Sequence, residues 1–313
     1  MEITAIDVIL NGIRSIETQA KLGIDKSGVY HISMEDYQED PCKIPSLSRS
    51  TIIDLISRSP AHAWWNHPKL NSDFKKDEGE KKFDIGQAAH SLLLEGIDNV
   101  TVIEADDWRT KAAKEARDQA RIEGKTPLLL HQYEEVKILV ESAHKQILAC
   151  KELGITDLQA DGDSEMSYIW QEEATWLRVR PDWVSKDRKI ILDYKTTGNS
   201  ANPSEVARLI VSMGYDIQAA LYSRGVKAIH GIDPKFIFIF QETKEPYLCS
   251  FVGLPPDFME MGKQKVEYGI FLWQECMRSN QWPAYPSKVC WVDLPAWASV
   301  SWEKRATDLG IGE

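Results

Sequence analysis

Residues 178–195, Arg-Val-Arg-Pro-Asp-Trp-Val-Ser-Lys-Asp-Arg-Lys-Ile-Ile-Leu-Asp-Tyr-Lys, constrain the fold more than any other stretch of the chain. Trp183-Val184 and Ile190-Ile191-Leu192 are β-favouring and flank a short polar turn, Ser185-Lys186-Asp187-Arg188. The segment therefore reads as two antiparallel strands. Pairing them about Asp187–Arg188 sets Asp182 directly opposite Asp193, on the same side of the sheet, with Cβ atoms roughly 4.5–5.5 Å apart. Lys195 lies two residues beyond Asp193 and shares that side. Two carboxylates and an ammonium converge at one end of a hairpin.

Such a grouping opposes folding unless something binds it, because like charges placed opposite each other repel. A hard divalent cation removes the repulsion, since Mg²⁺ takes one or two carboxylates together with water and substrate phosphates. The plain alternative is a solvated Asp–Lys pair on an edge hairpin. Against it, Asp193 follows Ile190-Ile191-Leu192 and so ends a strand suited to burial.

The 313 residues, 43% hydrophobic, suffice for one large domain or two small ones. No apolar run reaches the roughly 18–20 residues of a membrane helix, and no basic-then-apolar signal opens the chain. Five scattered cysteines without a C-x-x-C argue for a reducing compartment and against a disulfide framework or zinc site. A cytoplasmic protein is expected. The net charge of −11 weighs against a nucleic-acid partner, although a local basic channel can coexist with an acidic exterior. Lys75-Lys76, Lys81-Lys82 and the stretch Arg109–Arg121 are basic, but acids interleave with them, as on a solvated mixed face.

Residues 1–44 read as an N-terminal extension, with an amphipathic helix over Ile3–Lys21, ahead of a domain spanning 45–313. Ser46-Leu-Ser48-Arg49-Ser50 leads into a helix start; these hydroxyls and the arginine suit either helix capping or phosphate binding. Residues 83–96 form a helix closed by Gly96, with His90 among apolar neighbours, a place for either a core histidine or a ligand. From Thr101 to Leu153 the pattern is charged and helical, with a break at Gly124–Pro127. Glu165–Trp170 and Thr175–Arg180 alternate as strands and join 189–193 in a three-stranded meander; Glu165 suits either the site's surroundings or an outward face. Thr196 and Thr197 can reach a phosphate or cap the next segment. Helices over 204–210 and 215–229 place Gln218 and Tyr222 on one face. Phe236–Phe240 is a strand buried on both faces, Tyr247–Val252 a further strand, and 256–280 a helix with Met259, Val266, Ile270 and Trp273 inward. Trp282, Trp291, Trp297 and Trp302 suit fastening of a C-terminal tail (256–313) to the core, or stacking on unpaired bases.

Pro181-Asp182 followed by Asp193-x-Lys195 resembles the signature of the PD-(D/E)XK nuclease superfamily. The order helix with His90, three strands, helix with Gln218-x-x-x-Tyr222, buried strand is similar to its restriction endonuclease-like core over about residues 80–255. The implied fold class is α/β, a central mixed sheet flanked by helices. Gly28-Val-Tyr-His31, Ser57-Arg-Ser-Pro60 and Trp282-Pro283 further resemble the RecE-type exodeoxyribonuclease VIII domain of phages and prophages.

That resemblance implies a Mg²⁺-dependent exodeoxyribonuclease, with Mn²⁺ able to substitute, degrading linear duplex DNA 5′→3′ and leaving 3′ single strands for recombination. It assigns the metal to His90, Asp182, Asp193 and the Tyr194 carbonyl. Catalysis falls to Asp182, Asp193, Lys195, Gln218 and Tyr222, and contacts to DNA phosphates to Ser48, Arg49, Ser50, Thr196 and Thr197. The implied partners are duplex DNA ends, a single-strand annealing protein and further copies in a ring, with no membrane. A structure-specific endonuclease on the same core, or a non-catalytic DNA-binding recombination module, are the alternatives.

Overall fold

The computed structural model describes residues 22–74, 84–96 and 99–309. The expected helix over Ile3–Lys21 and the pairs Lys75-Lys76 and Lys81-Lys82 lie outside them. Along the chain the strands are β1 (Gly28–Tyr30), β2 (Ser46–Leu47), β3 (Val100–Ile103), β4 (Thr126–Leu129), β5 (Gly162–Ser164), β6 (Ser167–Glu172), β7 (Thr175–Val179), β8 (Trp183–Ser185), β9 (Ile190–Thr197), β10 (Lys235–Glu242) and β11 (Cys249–Gly253). The helices are α1 (Met34–Gln38), α2 (Arg49–Ile53), α3 (Pro60–Trp65), α4 (Asp84–His90), α5 (Lys111–Ile122), α6 (Leu130–Ala149), α7 (Leu158–Asp161), α8 (Pro203–Ser212), α9 (Tyr215–His230), α10 (Pro256–Ser279) and α11 (Ala296–Asp308). Both α2 and α4 continue as a wider π-helical turn, through Arg58 and Glu95.

The central sheet runs β11-β10-β9-β8-β5 and is mixed: β9 and β10 are parallel and the other pairs antiparallel. A parallel pair needs a crossover, and α8 and α9 supply it. The apolar run in β10 divides by the two-residue period. Phe236, Phe238 and Phe240 face a cluster holding Ile217 and Leu221 of α9 and Val266, Ile270 and Trp273 of α10. Ile239 faces the opposite cluster, with Ala88 and Ala89 of α4 and Leu139, Ala143 and Ile147 of α6. The sheet is thus covered on both faces, as an α/β core requires.

The expected meander is present, with a bend. Gly162↔Ser185 in β5–β8 and Tyr168↔Val179 in β6–β7 belong to one unbroken antiparallel register. Between them Glu165 N–H donates to the Asp182 carbonyl at 3.1 Å. Two local features turn the hairpin from the central sheet into a second one, ordered β1-β6-β7-β2. Glu165 has φ +54°, outside the strand region, and Pro181 has no N–H to give the ladder. The bend falls where the candidate site lies.

Gly162 lies under the indole of Trp183, whose Nε1–H donates to the Leu158 carbonyl at 2.8 Å. A Cβ at position 162 would overlap that ring. Gly162→Val is expected to destabilise by about 1–3 kcal/mol through overpacking, read as a lower urea midpoint.

Three expectations change. The extension is stitched in from Ile24 onward, which packs with Cys42 against Ile169 and Trp176. Gly28–Tyr30 pairs with β6, and the buried Asp40 carboxylate accepts from the Ser46 N–H (2.8 Å) and Oγ–H (2.6 Å), with Arg178 3.5 Å away. The charged region after Thr101 is not all helical, because β3 and β4 form a parallel pair flanking α5. There α6 stops at Ala149 rather than Leu153. The compact units are Met1–Trp282 and Pro283–Glu313. Trp282 meets the fastening expectation, packing edge-on against Trp273 at 5.6 Å. Trp291, Trp297 and Trp302 of the second unit are exposed. All five cysteines are free thiols, and no described helix is long and apolar enough to cross a membrane.

Candidate active site

The turn of the β8–β9 hairpin is held by Ser185, whose hydroxyl donates to Asp187 and accepts the N–H groups of Lys189 and Ile190. The register is the one the sequence sets, Val184↔Ile191 and Trp183↔Leu192. The next pair outward is Asp182 and Asp193. Here the strands part, and the Asp182 carboxylate replaces a backbone acceptor, taking the Tyr194 N–H at 2.8 Å. In an extended chain the C=O of a residue points to the same edge as its N–H, so the Tyr194 carbonyl is on the Asp182 side.

Lys195 Nζ lies 2.5 Å from Asp193 Oδ1 and 4.0 Å from Asp182 Oδ2. Asp193 is fully buried, and its other oxygen accepts a hydrogen bond from the Gln218 side-chain amide of α9. From the opposite layer α4 brings in His90, with Nε2 3.1 Å from Asp182 Oδ2 and 3.6 Å from Glu165 Oε1. That helix comes close because Gly86 has no side chain: a Cβ there would stand 2.8 Å from Thr196 Oγ1 on β9. Glu165 is fixed in turn by Arg180, whose Nε–H donates to Oε2 at 2.5 Å while its NH1 donates to the Ile32 carbonyl and to Ser167.

The electrostatics follow from crowding carboxylates in a poorly solvated place. Burial and then the charge of Asp182 push the Asp193 carboxyl up, and Lys195 only partly offsets them. Burial also opposes ionisation of Asp182, but Lys195 and His90 outweigh it and hold that carboxyl low. His90 is penalised by burial, yet Asp182 and Glu165 lift it to about 9. Lys195 is likewise penalised and likewise held above its ordinary value by Asp193 and Asp182. Two cations of the protein's own thus compensate the acids.

Among the described residues, the ligand atoms of His90, Glu165 and Asp182 lie within 4.8 Å of one another. One imidazole and two carboxylates suit a divalent cation, and the Tyr194 carbonyl is directed to the same side. These residues fit the expected metal. Glu165 stands among them, and Asp193, also expected as a ligand, is engaged by Lys195 and Gln218. Glu165 was legible by the same arithmetic that opposed Asp182 to Asp193, since pairing β6 with β7 from their turn sets it opposite Asp182.

The remaining expected residues divide. Tyr222 shares the α9 face with Gln218 but is a core side chain, edge-on to Phe236 at 6.2 Å. No hydrogen bond among the described residues ties its hydroxyl to Asp182, Asp193 or Lys195. Ser48 is buried and caps α2 through the Thr51 N–H, and Ser50 is exposed beside it. Thr197 Oγ1 accepts the Asn199 N–H, as a cap would. Arg49 donates to the Met213 carbonyl at 2.6 Å and its guanidinium lies over the Tyr215 ring.

Over residues 48–293 the sequence matches the model of a family described as a PDDEXK-like domain of unknown function, DUF3799. No curated protein sequence matches the chain. Among solved structures, a proposed exonuclease from Eubacterium rectale is similar at a TM-score of 0.56 and 12% identity, covering 87% of this chain and 99% of its own, a likeness of fold alone. Another, SSO0001, is 13% identical over 65% of this chain and 98% of its own, and its TM-score of 0.26 carries no weight. The chain belongs to the PDDEXK-like family and is built on a PD-(D/E)XK core.

Proposed function

We propose that the protein is a metal-dependent exodeoxyribonuclease that hydrolyses linear duplex DNA from its ends. The observation that carries this reading is the meeting of His90, Glu165 and Asp182 with the Asp193–Lys195 ion pair at the bend of one hairpin. The family's PDDEXK-like description and the proposed exonuclease of similar fold support it. Mg²⁺, or Mn²⁺ in its place, would be held by His90, Glu165, Asp182 and the Tyr194 carbonyl. Bound there, such an ion stabilises charge developing on the phosphate oxygens and lowers the pKa of attacking water.

The chain's own groups do the rest. His90 must give up its proton before its nitrogen can serve as a ligand. Lys195, kept charged by Asp193 and Asp182, offers hydrogen-bond donors to the water or to a phosphate oxygen. Gln218 donates to Asp193 and so helps to hold the carboxylate that positions Lys195. The 5′→3′ direction, a single-strand annealing partner and a ring assembly belong to the RecE-type reading and are part of the proposal.

Linear duplex labelled at the 5′ or the 3′ end, incubated with Mg²⁺ or EDTA beside a covalently closed circle, tests it. The expected result is early release of 5′ label as mononucleotide, intact circles, and no release in EDTA. Nicked circles would make the protein an endonuclease on this core. DNA binding without any cleavage would leave a non-catalytic recombination module.

A further inference from the structure

Tyr215 is the first residue of α9, outside both the ligand group and the Asp193–Lys195–Gln218 contacts. Its ring lies within cation–π distance of both Lys195 and Arg49. Lys195 Nζ is 5.5 Å from the ring centroid and Arg49 Cζ is 5.4 Å from it. The ring rests on Phe238 and Phe240, with centroids 5.5 and 6.1 Å away. Those two phenylalanines are the β10 partners of Asp193 and Lys195 in the parallel register. Tyr215 therefore sits on the same face as the Asp193–Lys195 pair.

Its position is itself fixed. Gly214, at φ +62°, turns the chain into α9. Arg49 NH2 donates to the carbonyl of Met213, just before that turn, at 2.6 Å. The guanidinium that covers the ring thus also anchors the loop from which the ring projects. No hydrogen bond among the described residues engages the Tyr215 hydroxyl, and the cation contacts to Arg49 and Lys195 are made by the ring.

We infer that Tyr215 is a positioning residue for Lys195: the negative face of its ring holds the ammonium against Asp193, and Arg49 braces the ring. An aromatic face within about 6 Å attracts an ammonium, most strongly where water is scarce. A lysine has four rotatable carbons and would otherwise sample many rotamers. With Asp193 on one side and an aromatic face on another, few remain. The functional consequence rests on the nuclease reading; the positioning itself does not.

The test reads both separately. Lys195 acylation by an N-hydroxysuccinimide ester is followed by mass spectrometry in metal-free protein without DNA. Tyr215→Leu is expected to raise the Lys195 rate about tenfold, the usual strength of such a contact, while Tyr215→Phe, which keeps the ring, leaves that rate near wild type. Fluorinated phenylalanines at 215 preserve the shape and withdraw the ring's negative face, so labelling should climb with fluorine number even if Tyr215→Leu folds poorly. In cleavage, Tyr215→Leu should lower kcat and leave KM unchanged, and should cost nothing further in a Lys195→Ala background. Unchanged Lys195 labelling across the fluorinated series overturns the inference, as does Tyr215→Phe labelling like Tyr215→Leu. A wild-type protein that cuts no DNA but shows the labelling trend would refute the nuclease reading and leave the positioning intact.

Discussion

Asp193→Ala and Lys195→Ala are each expected to cut the rate of DNA hydrolysis by about a thousandfold or more, the scale of losing a charged group aimed at the reacting centre. Both proteins should remain folded, for different reasons. In Lys195→Ala the fully buried Asp193 loses its counter-ion, and an unpaired buried charge usually costs several kcal/mol. Asp193 has an exit from that cost. Burial and Asp182 already push its carboxyl up, so it can take a proton and stay as a neutral acceptor of the Gln218 amide. In Asp193→Ala the ammonium keeps Asp182 at 4.0 Å and is about a quarter exposed, so water reaches it. Far-UV circular dichroism and thermal melts check the fold, and the end-label assay checks the rate. Cleavage near the wild-type rate by either variant would remove these residues from the chemistry and the PD-(D/E)XK assignment of mechanism with them.

The hairpin that carries these residues was legible because two independent signals agree on it. The two-residue alternation of Trp183-Val184 against Ile190-Ile191-Leu192 and the polar Ser185–Arg188 turn leave a single register that buries the apolar side chains. The Phe236–Phe240 strand and the Gly96 cap were legible for similar reasons, strong local patterns with one physical outcome, whereas the place of Gln218 at the site came from the resemblance. What escaped is what depends on distant partners. The segment Thr126-Pro-Leu-Leu129 looks like a helix break because of Pro127, and becomes a strand only because Val100–Ile103 lies beside it. Residues 1–44 read as an extension, yet Asp40, at φ +62°, turns inward to Ser46 and Arg178 from far along the chain. Tyr222 fits the helix face of Gln218 and still ends in the core, since a shared face fixes direction but not reach. The bend at Glu165 was hidden because a positive φ at a glutamate leaves no mark in composition.

Glu165→Gln is expected to have the second largest effect, and it separates the ligand group in the structure from the one drawn by resemblance. The substitution keeps the shape and an acceptor for the Arg180 Nε–H while removing one charge. Arg180 retains the Ile32 carbonyl and Ser167 as partners, so the bend should persist and the melting temperature should move little. If Glu165 holds the metal with His90 and Asp182, losing its charge should weaken Mg²⁺ binding by about 10–100-fold, at least the cost of disturbing a metal site's supporting contacts. Cleavage at limiting Mg²⁺ should fall by a similar factor and recover in part as Mg²⁺ is raised. That recovery is the distinguishing feature, because Lys195→Ala removes a group no metal concentration can restore. If Glu165→Gln instead cuts at wild-type rates with an unchanged Mg²⁺ requirement, the carboxylate only fastens Arg180. The cation would then be held by His90, Asp182 and Asp193, which requires Asp193 to swing from Lys195 toward the imidazole when metal arrives.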